Sequence, residues 1–220
     1  MMAAKKKLLY IHGFRSSAKS STILNLKANY SDIEVHAFDV THHPVESIKK
    51  IEDYVAKHDI DILAGSSLGG YYTLCARVDI PKIAVNPALN PEDSLSFLPE
   101  IGEEVDYYNE REDGVQTFKC TLSDLDEFRG IEKYITAVTH IIGSNQDELL
   151  GDQRDKYHEV VGDRFHESTQ LGHRITPEFL EIPNGDFYKV LSMFLCLADL
   201  LKQFLLIDSK SLYQGKLLFL

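Results

Sequence analysis

The sequence predicts an α/β protein, a mostly parallel sheet with helices on both faces. Three observations lead there. Short apolar runs alternate with segments of helical period through the front half of the chain. A crowded turn of small residues, "GSSLGG", separates one such run from the helical segment after it. With 220 residues, 44% of them hydrophobic and 26% charged, the chain can fold as one large domain, and neither disorder nor a fibrous class is indicated.

Taken in order, "KLLYI" at 7–11 reads as a first strand and "IEVHAF" at 33–38 as a second, with a helix over 21–28 between them. Over 45–57 Val45, Ile48, Ile51 and Val55 recur at three- and four-residue steps, which predicts a helix with one buried face. "DILAG" at 61–65 is the next strand, then comes the turn, a helix over 68–77 and the strand "KIAVN" at 82–86. From Pro91 to Glu132 the periodicity weakens, and 13 acidic residues against three basic ones hold nearly all of the net charge of -11. This stretch, about 91–133, reads as an acidic cap insertion of helices and loops, with Phe97, Tyr107, Tyr108 and Phe118 available to roof a site. Its charge is either a solvated face or a field that repels anionic ligands. "AVTHIIG" at 137–143 restores the strand pattern, followed by a polar loop holding Asp147, a helix over 153–161, and "DRFHES" at 163–168 as the last strand before "QLGHRI".

The end of the chain is apolar over 190–207, but Asp199, Lys202 and Gln203 interrupt it. A charge near a bilayer centre costs about 2.5 to 3.5 kcal/mol, so the segment reads as a buried or partner-facing helix, a surface for a homo-oligomer, and a membrane role is not expected. Residues 1–207 form the domain, and 208–220 a tail without an assigned role.

Several function classes fall away on composition. A strongly acidic chain lacks the cations that neutralise phosphate, which excludes nucleic acid as the main partner. Cys75, Cys120 and Cys196 stand far apart with no C-x-x-C pair, so neither a disulfide framework nor a zinc site is suggested, and reduced thiols fit a cytoplasmic location. The apolar stretch after the basic start is too short for a signal-peptide core. Adjacent His42 and His43 offer no recognised ligand spacing and H-E-x-x-H is absent, so no metal or organic cofactor is expected.

The turn carries the chemistry. Gly65-Ser66-Ser67-Leu68-Gly69 matches G-x-S-x-G between a predicted strand and a predicted helix, the context of the nucleophile elbow in an α/β-hydrolase fold. A serine hydroxyl is a weak nucleophile until an imidazole takes its proton, and the imidazole must be oriented by a carboxylate. Asp147 and His173 follow in that order, each just beyond a later strand, with Glu148 as the rival acid. His140 and His166 lie within predicted strands and His158 on a helix, which leaves His173 in the loop a base needs. Oxyanion donors are expected from the backbone N-H of Leu68, directly after the nucleophile, and of Phe14, where Gly13 lets the chain turn. His12 reads as a structural residue under that loop. The expected activity is hydrolysis of a small-molecule carboxylic ester or thioester, and the competing reading is an interaction protein on the same fold.

"LLYIHGFRSSAKS", "GSSLGGYYT", "AVNPALNP", "GSNQDELL" and "GHRI" together resemble the small α/β-hydrolase esterases of the YqiA type, the UPF0227 family, over about residues 7–175. The resemblance implies a serine nucleophile at Ser67, an acid at Asp147, a base at His173 and a preference for short acyl chains. The chain departs from that pattern in its long acidic segment and in everything after His173.

Overall fold

The computed structural model describes residues 4–195. The chain runs β1 (Lys6–Ile11), α1 (Ser21–Asn29), β2 (Ile33–His36), α2 (Pro44–His58), β3 (Ile62–Ser66), α3 (Leu68–Cys75) and β4 (Lys82–Val85). The insertion follows, with α4 (Pro91–Ser94), β5 (Glu104–Asp106), β6 (Thr117–Lys119) and α5 (Leu122–Leu125). β7 (Thr139–Gly143), α6 (Arg154–Val161) and β8 (Phe165–Glu167) complete the sheet. A further helix, α7, spans 186–195, where the described residues end. The rest of the predicted C-terminal helix and the tail therefore lie outside them. Among the described residues no helix is long and apolar enough to cross a membrane.

Six strands form one sheet in the order β2-β1-β3-β4-β7-β8, and every pairing is parallel. Alternation along each strand sorts the core into two faces. Leu8, Tyr10, Ile62, Ala64, Ile83, Val85 and Ile142 pack under α1 and α7, with Ile23, Leu26, Phe187 and Leu191 opposite them. Leu9, Ile11 and Leu63 pack with Ile51 and Val55 of α2 and with Tyr71 and Tyr72 of α3. Ala84 and Ile141 meet Tyr157 and Val161 of α6 on that same side. Winding runs outward from β1 to β2 and then crosses back to β3, so direction reverses between β1 and β3. Ligand crevices in open α/β sheets form at the carboxyl ends of strands at such a reversal.

Three expectations change. The buried stripe of α2 is Pro44, Ser47, Ile51 and Val55, while Val45 is 68% exposed. Val45 lies six residues before Ile51, about 240° around the helix, so it falls off the stripe, while Ile48 still packs half-buried against the core. The insertion contains, besides short helices, an antiparallel ribbon of β5 and β6, which the weak periodicity did not announce. The aromatic residues of the insertion also divide: Tyr107 and Phe118 stack at 4.5 Å on the body, whereas Phe97 is 87% exposed.

Polar contacts of both signs tether the insertion to the body. Glu100 accepts from Arg15 at 2.8 Å, and Asp39 of the body accepts the backbone N-H of Glu112 at 2.6 Å. Buried Arg111 reaches back to donate to Val40 O at 3.1 Å, its charge balanced by Asp113 at 2.6 Å. Because Arg111 is buried, it is a stronger anchor than the exposed pairs around it.

A histidine pair far from the turn sets part of the pH response. His140 of β7 and His166 of β8 stack at 5.1 Å, with His140 Nδ1 2.8 Å from His166 Nε2, and Phe194 of α7 meets the His140 ring edge-on at 5.0 Å. Burial lowers both pKa values, that of His140 from 6.5 to about 4, with the neighbouring ring and Arg164 adding to it. Unfolded rings take up protons near 6.5 and the folded rings do not, so stability is full above about 6.5 and falls as pH drops toward about 4. We expect the urea midpoint to decrease between about pH 7 and about pH 4.5, and to decrease less in His140→Leu, which cannot take up that proton.

Candidate active site

Ser67 stands at the end of β3 with φ 54° and ψ -119°, the first central position of a II′ turn, which glycine normally fills. Holding a serine there costs on the order of 1 to 3 kcal/mol. Its neighbours leave the chain no other path. A Cβ on Gly65 would sit 2.4 Å from Gly69 O, and one on Gly69 would sit 2.2 Å from Ile11 O. The two glycines thus allow β3, α3 and β1 to approach closely while the Ser67 N-H donates to Val85 O at 3.0 Å.

The loop after β1 packs directly on this turn, because the Cβ position of Gly13 lies 3.3 Å from Ser67 Cβ. The N-H groups of Phe14 and Leu68 find no backbone acceptor among the described residues. Beneath the loop His12 is buried, receives the Val40 N-H at Nε2 over 3.1 Å and donates from Nδ1 to Gly13 O over 2.9 Å. Burial holds its pKa at about 4, so the ring is a neutral brace for the loop. Tyr107 and Phe118 of the insertion close the pocket shared by Phe14 and Leu68 to about 10 Å³, room for about one water.

The loops after β7 and β8 supply the other two residues. His173 Nδ1 donates to Asp147 and lies 3.0 Å from both carboxylate oxygens. Asp147 is buried and its Oδ1 also accepts the N-H groups of Leu149 and Leu150, at 3.0 and 2.7 Å. Glu148 meets the backbone of the same histidine instead of its ring. Its Oε2 accepts the N-H of His173 at 2.8 Å, and that bond lowers its pKa. The imidazole thus pairs with Asp147, and its proton on Nδ1 leaves Nε2 as the free acceptor. Among the described residues no hydrogen bond joins Ser67 Oγ to that imidazole. Such contacts tighten when substrate binds.

One residue that sequence reasoning passed over ties these loops together. Asn86, buried and at φ 39°, donates from Nδ2 to Gly172 O at 2.7 Å and accepts the Ser144 N-H at Oδ1 over 3.1 Å. The signal was the "AVN" that ends β4, next to the strand that carries the serine. Beside the site a cleft of about 380 Å³ is lined by Pro87, Ala88, Phe97, Leu98, Leu149 and Leu150. Ser67 and His173 are outside its lining. It adjoins them through Ala88, whose N-H donates to Ser67 O at 3.2 Å, and through the two leucines that hold Asp147.

The parallel sheet, its reversal point and the strand-turn-helix at Ser67 define an α/β-hydrolase fold. Est1E from Butyrivibrio proteoclasticus shares it, with a TM-score of 0.55 at 19% identity over 77% of this chain and 80% of that one. So does the alpha/beta hydrolase domain-containing protein 10 from mouse, with a TM-score of 0.56 at 18% identity over 93% of this chain and 92% of that one. Within that fold the chain belongs to the Uncharacterised protein family (UPF0227), whose pattern matches residues 7–170.

Proposed function

We propose that the chain is a serine hydrolase that cleaves small carboxylic esters or thioesters through an acyl-enzyme on Ser67. The observation that carries this reading is the strained, glycine-flanked Ser67 at the same sheet edge as a histidine already paired with a buried aspartate. His173 Nε2 takes the hydroxyl proton as Oγ attacks the carbonyl carbon, and Asp147 stabilises the imidazolium that forms. The carbonyl π electrons move onto oxygen, where the Phe14 and Leu68 N-H groups and the amino end of α3 meet the developing charge. Collapse expels the alcohol or thiol with the proton from His173, and water repeats the sequence to free the acid. The adjoining cleft is of a size for a short acyl or aryl group. The buried free thiols of Cys75 and Cys120 suit a reducing cytoplasm.

A fluorophosphonate probe tests the reading directly. Stoichiometric labelling at Ser67, with turnover of aryl esters or acyl-thioesters, is the expected result. An unlabelled, folded protein would favour a non-catalytic binding role on this fold. The two acids separate by their partners. We expect Asp147→Asn to lower kcat about 10⁴-fold, since the imidazole loses its orienting charge, and Glu148→Gln to lower it no more than about tenfold, because an amide oxygen still accepts the His173 N-H. A larger loss in Glu148→Gln would move the acid by one position.

A further inference from the structure

The loop after β2 meets the insertion at a cluster that ester hydrolysis does not use. His42 is 7% exposed, and neither Nδ1 nor Nε2 has a hydrogen-bond partner. A buried imidazole gives up water at a donor and an acceptor, and an unsatisfied pair calls for an explanation. Asp124 Oδ2 lies 3.9 Å from His42 Nε2, too far for a hydrogen bond. Cys120 is 1% exposed, and its thiol has only a 4.0 Å contact to Thr121 O. Ligand atoms of His42, Cys120 and Asp124 all lie within 4.8 Å of one another. Asp124 is shared with a second trio, His43 and Glu127 completing it, within the same distance.

We propose that His42, Cys120 and Asp124 bind one divalent transition-metal ion of the zinc type, with water completing its coordination. Mixed thiolate, imidazole and carboxylate donors select such an ion over calcium or magnesium, which take oxygen ligands. Two ligands of a tetrahedral ion stand roughly 3.5 Å apart, so the side chains close inward by about an ångström on binding. The surrounding groups hold the donors in place. Thr121 donates to Asp124 Oδ2 from its N-H at 2.7 Å and its hydroxyl at 2.8 Å, which fixes the carboxylate facing His42. Binding forms an Sγ–metal bond and releases the Cys120 proton to solvent, with no change of oxidation state. Ser67 takes no part. The ion clips the loop after β2 to α5 and so fastens the insertion to the sheet, independently of the hydrolase reading. Linear spacing hid the cluster because its histidine and its Cys-x-x-x-Asp pair come from distant parts of the chain.

Cobalt(II) titrated into the reduced, chelator-treated full-length protein provides the test, since a thiolate ligand gives an intense charge-transfer band in the near ultraviolet. One equivalent is expected to saturate the band, zinc to displace it, and either ion to raise the thermal midpoint. Cys120→Ser should abolish the band and weaken binding at least about a hundredfold. Asp124→Asn, whose amide oxygen still accepts the Thr121 N-H and so preserves the helix cap, should weaken it at least about tenfold with an unchanged circular dichroism spectrum. Ser67→Ala should bind as the unmodified chain does. Absence of the band in the unmodified protein, its survival in Cys120→Ser, or undiminished affinity in folded Asp124→Asn would overturn the proposal.

Discussion

Ser67→Ala is expected to lower ester kcat/KM by about 10⁴-fold or more and to leave the protein as stable as before. The hydroxyl makes no structural hydrogen bond among the described residues, while the backbone N-H and carbonyl of Ser67, which do, are retained. A second variant separates chemistry from strain. Ser67→Gly should be just as inactive yet more stable than Ser67→Ala by about 1 kcal/mol, because glycine adopts φ 54° and ψ -119° without a Cβ penalty. Turnover assays and urea melts on the three proteins read both effects. A kcat/KM in Ser67→Ala within about tenfold of the unmodified protein would remove Ser67 as nucleophile, and equal stabilities would show that the turn holds no strain.

The largest loss of stability is expected from Gly69→Ala. Its new methyl would lie 2.2 Å from Ile11 O and 2.4 Å from His12 O. Both obstacles are backbone atoms at the end of β1, so neither can rotate aside, and α3 would have to lift off the sheet. A cost of at least about 3 kcal/mol follows, toward the severe end for single substitutions. Gly102→Ala is the control. Its φ of 92° is unfavourable for alanine, but no atom lies within 4 Å of the added carbon, so about 1 kcal/mol is expected. Urea midpoints that rank the two the other way would mean that conformation, and not close approach, governs these glycines.

What could be read from the sequence was what local chemistry determines. The inner strands β1, β3, β4 and β7 follow from apolar runs that are buried on both faces, and the turn at Ser67 follows from small residues crowded between a strand and a helix. Asp147 and His173 were legible because chain order and strand ends restrict where an acid and a base can stand. Asp147 was preferred to Glu148 for its shorter side chain, but the bond of Glu148 to the His173 N-H was not legible, since it depends on how two distant loops meet. The ribbon of β5 and β6 was hidden because each strand has three residues, too few for a period to register. Asn86 was missed, and His42 was set aside for want of ligand spacing, for a related reason: the groups each of them faces lie more than fifty residues away, which no local pattern encodes.

Asn86 has a consequence for how the protein comes into being. Its amide joins the loop at Ser144 to the loop at Gly172, and the second of these is made last of all the strand-end loops. A ribosome that has released residues 1–136 has already made β1, β3 and β4, and with them the bent serine, but neither Asp147 nor His173. The nascent chain at that length therefore holds the Ser67 hydroxyl without the acid and histidine proposed to serve it. Whatever activity the site has must wait for the residues beyond β8, when the side chain of Asn86 can meet its second partner.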